Sequence, residues 1–231
     1  NGNIPTNNGI ENQQLLAEIK IQKYYTIFID VNIVIFLGFS LLHSNLKHHG
    51  IGTIMISLLM GVSSVIIGLM SLVCWRSIYI ESWYNGKFNF SSLFEANFNA
   101  ATVIISLGAV LGKLSLPQYF LISAFESIVS LLNSLLCREK LDVIDSGGSI
   151  TVHLFGAVFG CILSIIFNCS RVEKERIKSC PHLGSNYKSN VIGLIGMLFV
   201  WVYLPSFNIA RINNKKIMNY ERGSFYGEYF L

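Results

Sequence analysis

The side chains most able to do chemistry in this chain sit where chemistry is expensive. His153 lies well inside the apolar stretch Gly148–Cys169, and Asp145 stands at its entrance in "DSGGSITVHLFGAVFG". An ionisable ring at that depth is costly unless it has a partner or faces a polar cavity. A neutral imidazole offers one donor and one acceptor, which suits a small polar solute or a proton relay. It also suits a hydrogen bond to a neighbouring helix, and the residue alone does not choose between these readings. Asp145 precedes Gly147 and Gly148 and reads as a helix N-cap whose carboxylate accepts N–H groups of the first turn. A stable anion there also favours cations at the mouth. On an α-helix the separation from Asp145 to His153 is about 12 Å along the axis, so the two side chains do not touch.

Ser149, Gly156 and Gly160 fall on the same helical face as His153, within about 60°. A face of small residues lets another helix approach closely, and Gly108 and Gly112 repeat the spacing upstream. Packing alone accounts for both pairs of glycines. Glu126 stands by itself in "FLISAFESIVSLL", where a carboxyl group needs a partner helix or the membrane interface. Cys74, Cys137, Cys161, Cys169 and Cys180 show no paired spacing, and Cys74 and Cys161 read as packing residues inside apolar runs. Cys169, Cys180 and His182 share one link, but three scattered candidates do not make a tetrahedral site. No metal and no other cofactor is therefore expected. The absence of a clustered His/Asp/Glu constellation or a nucleophile motif argues against an enzyme.

The elements that must position these residues are membrane helices. Charged residues make up 13% of the 231, against about 25% in soluble domains. Mean hydropathy is +0.52, and the apolar residues are clustered. A spanning helix needs roughly 20 apolar residues to cross about 30 Å of hydrocarbon. Runs of about that size lie near Tyr24–Leu42, Ile51–Trp75, Phe98–Leu114, Pro117–Cys137, Gly148–Cys169 and Val191–Phe207. Alternating amphipathic strands are missing, so the class is an all-α, polytopic helical membrane protein with about six transmembrane helices. Residues 24–208 form the transmembrane domain, between polar tails at 1–23 and 209–231. The formal charge of +4 does not point to nucleic acid, because Lys and Arg sit in the links with no basic stripe and no interleaved aromatics.

Link charges set an orientation. The links "HSNLKHHG", the turn after Lys113 and "SRVEKERIKSCPHLGSNYKSN" hold most of the cations and are expected inside. The opposite links, "YIESWYNGKFNFSSLFEANF" and "CREKLDVIDS", are expected outside, with Arg76, Lys87, Arg138 and Lys140. The sequon Asn89-Phe90-Ser91 then faces outward and is open to glycosylation, whereas Asn168-Cys169-Ser170 faces inward.

Four segments, in order, resemble one family. Asp145–Gly160 is similar to the pore-histidine helix of the Rh-type branch of the Amt/Mep/Rh ammonium transporters. "AATVIISLGAVLGKLSLPQ", "IGLIGMLFVWVYLPSFN" and "DVNIVIFLGFSLL" resemble three further helices of that family. The resemblance covers about Asn12 to Asn208. It implies that Phe98 and Phe207 are the stacked pair closing the external vestibule, where aromatic faces attract a cation. It implies that His153 is the first of two pore histidines and Asp145 the buried acid at the head of their helix. It further implies recruitment of ammonium outside, loss of a proton, and passage of ammonia through a narrow hydrophobic pore. Ammonia crosses an apolar pore far more cheaply than an ion. The expected setting is a lipid bilayer, the plasma membrane, and a homotrimer at full length. Family members carry eleven or twelve spans arranged as an inverted pair of halves. This chain resembles the first half without its first helix and without the second pore histidine, so it is expected to be a fragment. The alternatives are a non-conducting Rh-like scaffold or a non-functional partial product.

Overall fold

The computed structural model describes residues 22, 24–45, 51–79, 90–167 and 187–221. Among these residues there are six helices long and apolar enough to cross a membrane, and no strand. The helix α1 spans Tyr24–Leu42, with a wide π-helical stretch at Ile33–Phe39 and a 3-10 turn at His43–Asn45. It is followed by α2 (Ile51–Tyr79), α3 (Phe90–Val110) and α4 (Leu116–Leu135). The last of these runs on through a π-helical turn, Leu136–Lys140. A 3-10 turn, Ser146–Gly148, leads into α5, which comprises the π-helical Ser149–Leu154 and the α-helical Phe155–Ile166. Finally α6 covers Tyr187–Glu221, continuing past residue 208, where the sequence places the start of a polar tail.

The central helix is α3. Its apolar window is 78% buried, against 17% to 39% for the other five. It packs against α2 and α5 most extensively, and also against α1, α4 and α6. This explains why the least apolar helix is the innermost one. A helix surrounded by lipid must be apolar, whereas one surrounded by protein can carry Ser91, Ser92, Glu95, Asn97, Asn99, Thr102 and Ser106 in the core if neighbours supply partners. It also explains a boundary that the sequence misplaces. The third span begins at Phe90, not Phe98, and the polar residues 91–97 belong to the helix and not to an external link. Asn89 lies outside the described residues, as do the second sequon and the Cys169, Cys180 and His182 group; Ser91 is buried in α3.

The other end of α3 is set by a glycine. Gly112 has φ of +79°, a left-handed turn that an L side chain rarely adopts. It therefore ends the helix and does not extend the packing face of Gly108. The turn is fastened by Tyr119, whose hydroxyl donates to the Val110 carbonyl (3.0 Å) and accepts from the Gly112 N–H (2.8 Å). Next, α4 starts on Ser115, whose N–H donates to Gln118 Oε1 at 2.9 Å, with Pro117 in the first turn.

Two further readings change. Cys74 and Cys161 are exposed on the outward surface rather than packed inside, as suits weakly polar residues facing lipid. His43, read as part of an inner link, is buried, with Nδ1 2.9 Å from Ser57 Oγ of α2. Gly108 gives it room, since a Cβ there would stand 3.0 Å from His43 Nε2. Burial pushes the His43 imidazole down from 6.5 to about 4.

Candidate functional site

The residues singled out from sequence converge from three helices. Phe98 of α3 and Phe207 of α6 are both fully buried. Their ring centroids are 4.9 Å apart with planes at 80°. The pair is edge-to-face, not stacked as the resemblance implies, and this is a favoured aromatic geometry. His153 of α5 has its ring centroid 6.0 Å from that of Phe207 and is half-buried. The three rings thus form a continuous chain, with the two phenylalanines in direct contact.

Asp145 acts as the cap of α5. One carboxylate oxygen accepts the Ile150 N–H (2.9 Å), and the other accepts the Thr151 N–H (2.9 Å) and the Thr151 hydroxyl (2.6 Å). Charge-assisted bonds of this kind are the strong ones. They satisfy donors that a helix start would otherwise leave orphaned, and they fix the π-helical turn that carries His153. Wide turns of this kind recur at functional sites because they rotate side chains away from the regular helical register. They also account for a misjudged face: Ser149 is exposed, whereas Gly156 and Gly160 are buried. The loop into the cap is built by Gly147 and Gly148, at φ of +69° and +71°. A Cβ at Gly147 would collide with Asn208 of α6, next to Phe207. Gly147 lets the cap of α5 lie directly against the helix that carries the second ring.

Packing of α5 on α3 is equally close. A Cβ at Gly156 would stand 2.8 Å from the Thr102 carbonyl oxygen, and one at Gly160 2.7 Å from that of Ser106. Backbone cannot give way there, so the glycines set the distance between the helices that carry His153 and Phe98.

Sequence reasoning misses the charged cluster above Phe98. One turn earlier on α3, Glu95 has its side chain fully buried. Arg138 Nη1 stands 2.9 Å from Glu95 Oε1, and Arg76 Nη2 3.4 Å from Oε2. Arg76 also donates to Ser92 Oγ at 3.1 Å. Both arginines come from segments read as external links, where they count as topology signals. The available hint is that Glu95 precedes Phe98 by one helical turn. The lone Glu126 does find a partner helix: Ser106 of α3 lies 2.5 Å from its carboxylate. Among the described residues, no three His, Cys, Asp or Glu side chains come together as metal ligands do.

The chain matches the Ammonium Transporter Family over residues 4–221. It is 33% identical over 209 residues to ammonium transporter Rh type C of Xenopus laevis, covering 87% of this chain and 41% of that protein. It is 35% identical over 188 residues to ammonium transporter Rh type B of Mus musculus, covering 80% and 39%. Among solved structures it resembles Nitrosomonas europaea Rh50, of the Rhesus protein family of channels, with a TM-score of 0.66 and 27% identity, over 84% of this chain and 50% of that one. The chain therefore spans about two fifths of the length of these two Rh relatives. With its membrane helices, its central α3 and a match over nearly its whole length, it is a multi-pass membrane protein that belongs to the ammonium transporter family, in the Rh-type branch.

Proposed function

We propose that the chain forms part of the conduction path of an Rh-type ammonium/ammonia transporter. The observation that carries this reading is the convergence of Phe98, Phe207 and His153 from α3, α6 and α5. In this reading the two phenylalanines are the outer gate. Ammonium is drawn to their electron-rich faces, and one ring must swing before anything passes. His153, beside Phe207, offers hydrogen bonds to ammonia after the proton is lost, since the apolar surroundings disfavour the ion. Asp145 does not meet the solute. It holds the turn that aims His153. The domain of 24–208, a homotrimeric assembly and a plasma-membrane address belong to the same proposal.

The test is methylammonium and ammonium flux in proteoliposomes carrying the chain within the full open reading frame that contains it. Loss of one hydrogen-bonding group along the path is worth about 1 kcal/mol or more, so His153→Ala should slow flux by about fivefold or more. Unchanged flux would remove His153 from the path. A second reading, a non-conducting Rh-like scaffold, is favoured by the direct edge-on contact of Phe98 and Phe207. It predicts no flux in the wild type under the same assay.

A further inference from the structure

Beside the gate, between α3, α4 and α5, lies a small cavity with a polar lining. Glu95, Phe98, Asn99, Thr102, Ser130 and Thr151 are among the residues around it. It leaves about 10 Å³ for the centre of a water-sized molecule, which is room for one such molecule. Phe98 forms part of its wall and meets Phe207 as well.

The hydroxyl donors in the wall for which a partner is seen point away from the cavity. The Thr102 hydroxyl donates to the Phe98 carbonyl at 3.0 Å. The Ser130 hydroxyl donates to Asn99 Oδ1, with the Ser127 carbonyl as its alternative acceptor at 3.4 Å. Asn99 Nδ2 donates to the Ser64 carbonyl, and the Thr151 hydroxyl donates to Asp145. The hydroxyl hydrogens are committed to protein acceptors, and Asn99 Nδ2 has one further hydrogen to give. The Thr102 and Ser130 oxygens offer lone pairs, because each hydroxyl has one hydrogen and two acceptor sites. Several acceptors and one donor favour a solute with more hydrogens than lone pairs. Ammonia has three N–H groups where water has two O–H groups. The charges nearby cancel: Glu95 is paired with Arg76 and Arg138, and Asp145 is hydrogen-bonded in the cap of α5. An ammonium ion would find no unpaired counter-charge, and desolvating it would be costly.

We infer that this cavity is a holding site for one molecule of ammonia, separate from the surface of the gate and from His153. The identity of the solute rests on the transport reading. The geometry of the wall does not.

The experiment is thermal unfolding of the detergent-solubilised chain in ammonium chloride, with potassium chloride and methylammonium chloride as controls at equal ionic strength. A ligand that binds only the folded form raises the unfolding temperature by mass action. Ammonium chloride should stabilise the protein. Potassium has no hydrogens to donate, and methylammonium exceeds the space of one water, so neither should do so. If ammonia is the bound species, the half-saturating total ammonium should fall by about tenfold per pH unit as the neutral fraction grows. Thr102→Val removes a lining oxygen at constant shape, and Ser130→Val fills the space. Each should abolish the shift, whereas His153→Ala should keep it. Equal stabilisation by methylammonium would place binding at the gate and overturn the inference. So would a shift that persists in both lining variants, or no shift with ammonium. Loss of flux in His153→Ala with no ammonium-specific shift would leave the transport reading standing and this one refuted.

Discussion

Replacing Glu95 by Gln tests whether the buried cluster depends on its single carboxylate. Glu95 has a side-chain exposure of 0%, between Arg76 at 5% and Arg138 at 8%. At an effective dielectric constant near 20, charges 2.9 Å and 3.4 Å apart attract by about 6 and about 5 kcal/mol. Those are gross terms. Removing three ions from water costs several kcal/mol each, so the intact cluster contributes little net stability. Deleting only the central charge is different, because two guanidinium groups then stay buried without compensation. Glu95→Gln should therefore lose about 3–5 kcal/mol. Adding Arg138→Met to Glu95→Gln should recover about 2 kcal/mol of that loss, although it removes a second wild-type side chain. The assay is unfolding in mixed micelles by denaturing detergent, with the double-mutant cycle completed by Arg138→Met alone. The expected order is wild type, then the double variant, then Glu95→Gln. A double variant less stable than Glu95→Gln, or a Glu95→Gln protein as stable as wild type, would refute the reasoning.

Three other outcomes follow from the geometry. Acid should destabilise the fold through His43: with its pKa lowered from 6.5 to about 4, the unfolded chain binds the proton first, so stability is full above pH 6.5 and falls as pH drops toward 4. The loss is about 3 kcal/mol, and His43→Gln should flatten that part of an unfolding-versus-pH curve. Gly160→Ala should cost about 1–3 kcal/mol, because the new Cβ meets the Ser106 backbone at 2.7 Å and only separation of α3 and α5 relieves it; thermal unfolding would read it, and a neutral result would remove Gly160 from the contact. Asp145→Ala should lose about 2 kcal/mol or more by leaving the Ile150 and Thr151 N–H groups without their acceptor. Faster hydrogen exchange at those amides checks it.

Much of the architecture was legible because lipid imposes a simple rule. A helix crossing hydrocarbon must be long and apolar, and that pattern is local, so the spans of α1, α2, α4, α5 and α6 appear in the sequence within a few residues. The start of α3 does not, because it depends on neighbours. The polar run "SSLFEANF" reads as a link only until α2 and the end of α4 are known to supply Arg76 and Arg138 to it. The cap at Asp145 was legible for the same local reason as the spans: an acid before two glycines and a helix forms its bonds within a few residues. That Phe98, Phe207 and His153 belong together came from family resemblance, since nothing in their separate positions in the sequence brings them near one another. The sequence alone determined the class, the approximate spans and the cap. The tertiary structure alone decided that Phe98 and Phe207 meet edge-on, that His43 and Glu126 find hydroxyl partners on neighbouring helices, and that two arginines share one buried carboxylate. Those are contacts between residues far apart in the chain, and their energies depend on distance and desolvation, which only the packed helices set.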